Sequence, residues 1–90
     1  MYEWSLLKSQ QNYAKHGISI EDAKFYIFEG SNVIAPRVAY ETGEVRHAVC
    51  GKFKDKYYTG ILTVRNSKIR IICVRRARPN EEKNAKEKGI

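Results

Sequence analysis

The spacing of apolar positions along this chain is helical at the start and strand-like through the middle. Tyr2-Glu3-Trp4 alternates aromatic and acidic ahead of Ser5, a good helix N-cap, and Leu6, Leu7, Tyr13 and Ala14 then recur at the spacing of one helical face. A short strand followed by a helix is expected. Lys15 and His16 fall in its last turn and Gly17 just after it, the usual chemistry of a helix stop. Ser19-Ile20-Glu21-Asp22 is a weak relative of the capping box, and Ile20, Ala23 and Ile27 trace the apolar side of a second helix that Glu29-Gly30-Ser31-Asn32 should end.

Residues 33–39 are β-prone but contain Pro36, so a strand there is an edge or is interrupted. Glu41-Thr42-Gly43-Glu44 reads as a turn. Three β-rich runs follow, Arg46 to Phe53, Tyr57 to Arg65 and Lys68 to Arg76, joined by Lys54-Asp55-Lys56 and by Asn66-Ser67. Connections this short imply an antiparallel meander. If Asn66-Ser67 is a two-residue hairpin loop, Val64 lies opposite Ile69 and Leu62 opposite Ile71, with Tyr58 and Cys73 on the same face. That apolar face should meet the two helices. The other face would carry Thr59, Thr63, Arg65, Lys68, Arg70 and Arg76, interrupted by Ile61, Ile72 and Val74. A different loop length would exchange the two faces. Pro79-Asn80-Glu81-Glu82 opens a short C-terminal helix that frays by Gly89.

The expected fold is therefore α+β: a small antiparallel sheet, two N-terminal helices packed on one face and a short C-terminal helix. Ninety residues fit a single domain, 1–90, with room for one core. A hydrophobic fraction of 42% supplies that core without staples. Cys50 and Cys73 form no CxxC pair, and His16 and His47 show no finger-like spacing to them, which argues against a zinc site. No basic-then-apolar leader precedes the patterned sequence, and no apolar run approaches the roughly 18 residues of a membrane span, so a cytoplasmic protein with reduced thiols and no membrane partner is expected. A Cys50–Cys73 bridge stays open. The net charge of +7 is uneven: residues 1–64 hold eight Lys/Arg against seven Asp/Glu, whereas residues 65–90 hold nine against three. Charge concentrated like that suits a polyanion or an acidic protein partner, or simply a solubilising tail.

One set of residues carries a resemblance that spans nearly the whole chain in order and spacing. Tyr2-Glu3-Trp4, Lys8, Asn12, Lys15-His16-Gly17-Ile18-Ser19, Glu21 and Ala23 resemble the N-terminal signature of the BrnT toxin family. Glu44-Val45-Arg46 and Gly51 resemble its central acidic-x-Arg strand, and Arg65, the run Ile69 to Ala77 and Glu81 resemble its closing strand and helix. The resemblance implies a RelE-like fold, a ribonuclease that arrests translation, no metal cofactor, and neutralisation by a co-expressed DNA-binding antitoxin of the BrnA type in a hetero-oligomer. This chain departs from the family pattern in having Ser5 in place of an acidic residue, Cys73 in place of a Ser, and Glu29-Gly30 in place of Asp-Pro.

RNA carries its own nucleophile, so a metal-free ribonuclease needs only an acid, a base and cations to hold the developing phosphorane charge. His16 titrates where either proton-transfer role needs it, and is otherwise a cation that suits a helix C-terminus. Lys15 is a phosphate contact or a second such cation. Arg65 and Arg70, sharing a sheet face, could grip the scissile phosphate bidentately, with Arg46 joining from the neighbouring strand; alternatively they are solvated ends paired with Glu44 or Glu41. Glu44 could act as a base if desolvated. Arg75 or Arg76 would contact RNA phosphates, while Glu81 supports the last helix and pairs with one of the nearby arginines. Tyr57 or Tyr58, at most one of them, could stack on a base.

Two functional classes compete: an endoribonuclease toxin with an RNA substrate, and a catalytically inactive basic module that binds an acidic protein or nucleic acid. A metal-dependent nuclease fits poorly, since no carboxylate cluster of the needed spacing occurs.

Overall fold

The computed structural model describes residues 1–34, 38–39 and 44–90. Strand β1 (Tyr2–Glu3) leads into helix α1 (Leu6–His16), and α2 (Ile20–Ala23) runs directly into a π-helical turn at Lys24–Phe28. Strands β2 (Asn32–Ile34), β3 (Val38–Ala39), β4 (Val45–Phe53), β5 (Lys56–Arg65) and β6 (Lys68–Arg76) follow, and α3 (Pro79–Glu87) closes the order. The meander β4-β5-β6 forms as expected, because both of its loops are two-residue turns with positive φ at Lys54, Asp55, Asn66 and Ser67, whose twist matches that of the strands. Residues 41–43 of the turn expected at 41–44 lie outside the described residues, as does Pro36.

The sheet runs β1-β6-β5-β4-β2, with β3 also on β4. It is mixed rather than antiparallel: β1 pairs parallel to β6 through Tyr2↔Ile69 and Glu3↔Arg70.

Helix caps form where the polar residues predict them. The Ser5 and Ser19 hydroxyls accept from the Lys8 and Asp22 amides, and Gly17 adopts the left-handed φ of 78° that ends α1. The main core lies between α2 with its π turn and one sheet face, where Ile18, Ile20, Ala23, Ile27 and Val74 are fully buried. Phe28 seats on Gly60 so closely that a Cβ there would stand 2.2 Å from the ring. The helices leave the far end of this face as an apolar hollow of about 270 Å³ beside His47, Leu62, Val64 and Ile69.

Helix α1 is inverted relative to its apolar periodicity. It buries Ser9 and Asn12, and Leu6, Leu7 and Tyr13 face solvent. The cause is the neighbour it packs on. β1 covers the outer edge of β6 only at Ile69 and Arg70, leaving the Val74 N–H unpaired by any strand, and Asn12 Oδ1 accepts it at 3.0 Å. Asn12 Nδ2 donates to the Ile18 carbonyl at 2.8 Å. Ser9 accepts the Ile20 amide and donates to Glu21, which also receives the Trp4 indole N–H at 2.6 Å. An edge of unsatisfied backbone needs a polar helix face, which the buried Ser9 and Asn12 supply, with Trp4 and Glu21 extending the hydrogen-bonded lattice outward.

Candidate functional site

Register places the chemistry-bearing side chains in three transverse rows on the sheet face opposite the main core. Arg46 pairs with Thr63, Thr63 with Arg70, and Arg70 with Glu3, so one row crosses four strands. The next row is Ala48, Ile61 and Cys73, and the third is Cys50, Thr59 and Arg75. Neighbouring strands lie about 4.8 Å apart, which puts the Arg46 and Arg70 backbones roughly 10 Å from each other across the face.

Helix α3 covers the third row only. Thr59 donates to Glu81 Oε1 at 3.0 Å, the Cys50 thiol donates to the Glu81 carbonyl at 3.8 Å, and Arg75 grips the Glu81 carboxylate with both Nη atoms at 2.8 and 3.0 Å. With the Arg78 amide also donating to it at 2.8 Å, Glu81 is held at about 2, chiefly by Arg75 and against the opposing effect of burial. Burial pushes the Cys50 thiol above its ordinary value. Both cysteines are free thiols.

The uncovered middle row is a half-buried floor of Ala48, Ile61 and Cys73, with arginines on either side. At the β6 edge this floor meets a cleft of about 280 Å³ lined by Lys8, Lys15 and His16 of α1 and by Ile72 and Cys73 of β6. His16 is half-buried, and its pKa is lowered from 6.5 by burial first, then by the Lys15 and Arg75 charges. Arg75 therefore acts on the same imidazole that Lys15 adjoins. Lys8 and Lys15 hold no carboxylate among the described residues.

The arginines are differently committed. Glu44 takes Arg46 Nε at 2.8 Å and Arg65 Nε at 3.2 Å, and these two hydrogen bonds, that of Arg65 first, hold its carboxyl below the usual range. The Glu44 side chain is 19% exposed and is tied to two guanidinium groups. Arg70 stands 3.5 Å from Glu3.

Two expectations need correction. Arg76 does not share the basic face: a β-bulge between Ile61 and Leu62 leaves Ile72 unmatched, so Cys73 pairs with Ile61 and every residue after it changes side. Arg76 lies over the Tyr58 ring, 5.5 Å from its centroid, on the core side, and Cys73 and Arg75 take the other face. Tyr57 is not free to stack on a base. It is 7% exposed, with its hydroxyl donating to the Ile90 carbonyl at 2.7 Å, and Tyr58, 5% exposed, is buried on the other side. Strand alternation predicts one buried tyrosine; α3 buries the second.

Lys8, within the resembling segment but not singled out for chemistry, joins the cleft because it is seven residues from Lys15 and so on the same side of α1. No three His, Cys, Asp or Glu side chains gather in a metal-binding group, and no helix is long and apolar enough to cross a membrane, among the described residues.

Residues 4–81 match a family model described as the ribonuclease toxin, BrnT, of a type II toxin–antitoxin system. No curated protein matches the chain.

Proposed function

Because the chain belongs to the BrnT family of ribonuclease toxins of type II toxin–antitoxin systems, we propose that it is a metal-independent endoribonuclease whose active face is the floor of Ala48, Ile61 and Cys73 with the adjoining α1 cleft. The observation that carries this reading is the convergence of His16, Lys15 and Arg75 at one end of an apolar floor whose other side bears Arg46 and Arg70. A ribose or base lies on the floor, and the flanking cations take the phosphates. His16, kept neutral by its surroundings, accepts the 2′-hydroxyl proton. The 2′-oxygen bonds to phosphorus as the bond to the 5′-oxygen breaks, and the departing 5′-oxide takes a proton from water, leaving a cyclic phosphate and a 5′-hydroxyl. Arg75 and Lys15 hold the charge that builds on the phosphorane oxygens.

A RelE-like fold is part of this reading, supported by the α+β layout with helices on both sheet faces. So are action in the cytoplasm as a single domain, arrest of translation, and neutralisation in a hetero-oligomer by a BrnA-like antitoxin that occludes the basic face. The test is cleavage of a labelled single-stranded RNA by purified toxin in EDTA, with His16→Ala and Arg70→Ala/Arg75→Ala beside the wild type. Cutting by the wild type and loss in folded variants is the expected outcome; intact RNA across pH 6 to 9 would overturn the proposal. A second reading, an inactive basic module, draws support from Arg46, Arg65, Arg70 and Arg75 each already holding a carboxylate. RNA binding without cleavage, lost with the arginines, would favour it.

A further inference from the structure

The outer side of α1 has no work in the fold or in the cleft. At 100° per residue, positions 6, 7, 10, 13 and 14 fall within about 120° of arc, centred about 130° round the helix from the midpoint of the buried Ser9 and Asn12. On that arc Leu6 is 73% exposed, Leu7 62% and Tyr13 63%. Single exposed apolar residues are ordinary, but three on adjacent turns of one short helix make a ridge. The polar β6 edge beneath forces this inversion, so the ridge cannot be buried by rolling the helix without orphaning the Val74 N–H.

The ridge has a charged border. Going round α1 from Leu7, the next residues are Gln11, Lys15 and Lys8, the last two of which line the cleft. The helix holds no acidic residue, and neither lysine has a carboxylate among the described residues. A second copy of a +7 chain laid on this surface would set lysine against lysine. The surface is complementary instead to an amphipathic segment with apolar anchors at helical spacing and carboxylates along one flank.

We propose that α1 is the anchor for the antitoxin: an acidic amphipathic segment of that protein seats its apolar residues on Leu6, Leu7 and Tyr13 and lays its carboxylates on Lys8 and Lys15. This rests on the family reading, which supplies an antitoxin partner. It adds that the apolar anchor lies outside the catalytic cleft, on another side of the same helix. Affinity comes from the ridge, inhibition from carboxylates projected over the cleft, and the two are separable by mutation.

The experiment uses the full chain and the antitoxin encoded with it. Leu6→Gln/Leu7→Gln/Tyr13→Gln, with Leu7→Gln alone as a milder variant, is checked by thermal melting, then titrated with antitoxin calorimetrically and assayed on RNA. The triple variant is expected to bind antitoxin at least about 100-fold more weakly, the scale of lost interface hot spots, and to cut RNA within about twofold of wild type. It then stays active at antitoxin concentrations that silence the wild type. Unchanged antitoxin affinity in a folded triple variant overturns the proposal. So does a wild-type dimer that the variant dissociates while antitoxin binding is kept. A wild type that does not cut RNA refutes the catalytic reading, and calorimetry still decides the docking site.

Discussion

At the scale of single residues, His16 carries the sharpest consequences. Its imidazole is protonated only below the ordinary 6.5, because burial and the Lys15 and Arg75 charges disfavour the cation. If it acts as the base, the acidic limb of kcat/KM lies below pH 6.5 and the rate does not fall until that limb is reached. His16→Ala should lower the cleavage rate by about 10² to 10⁴ with little change in melting temperature. Lys15→Gln removes one of the charges opposing protonation, so the acidic limb should move upward in a pH–rate profile, a shift that loss of a phosphate contact alone would not produce. His16 and Lys15 could be named from sequence because helix-stop chemistry puts them at one end of α1. The choice between Arg75 and Arg76 could not be made. Strand alternation assumes no insertion, and the single unmatched residue at Ile72 sits among Ile71, Cys73 and Val74, where nothing in side-chain type marks a bulge.

Among the elements, α1 and α3 show where periodicity succeeds and where it fails. For α2 and the π turn that follows it the apolar spacing identified Ile20, Ala23 and Ile27, all fully buried, because that segment meets an apolar sheet face. For α1 the same rule pointed to the exposed side, since the helix meets backbone rather than side chains. Asn12→Leu would keep the volume but leave the Val74 amide and Ile18 carbonyl without their partner, at a cost of about 1–3 kcal/mol per orphaned group, read from urea denaturation. Helix α3 depends on one carboxylate. Glu81 titrates near 2 against an ordinary 4.5, so its contribution is complete above 4.5 and is lost as pH falls towards 2. Glu81→Gln should therefore cost about 2 kcal/mol at pH 7, and the gap between variant and wild-type melting temperatures should close as pH falls towards 2. The pairing of Glu81 with a nearby arginine was legible in Arg75-Arg76-Ala77-Arg78 ahead of Pro79, but the covering of Tyr57 by the same helix was not, since which face α3 takes is decided by tertiary packing.

For the whole molecule, the uneven charge of the chain is redistributed by the fold. The arginines of the basic C-terminal third recruit Glu44, Glu3 and Glu81 from all along the sequence, so the cationic excess seen in the chain is partly neutralised on the face where it gathers. The cations without a carboxylate partner in the cleft come from α1, in the part of the chain that composition alone marks as nearly neutral. RNA affinity should then rest on few contacts. If Lys8, Lys15, Arg70 and Arg75 each meet a phosphate, the slope of log affinity against log salt for a single strand is about −3, so raising salt tenfold weakens binding about 10³-fold. Lys8→Gln/Lys15→Gln should bring the slope to about −1.4, because those lysines are not already answering a carboxylate. Arg65→Gln should change it by much less, because Arg65 lies outside that set, holding Glu44 beyond the Arg46–Arg70 row. A filter-binding series across salt decides the point. An unchanged slope in the lysine variant, with a large change for Arg65→Gln, would move the RNA path from the α1 cleft to the Arg46–Glu44–Arg65 end of the sheet.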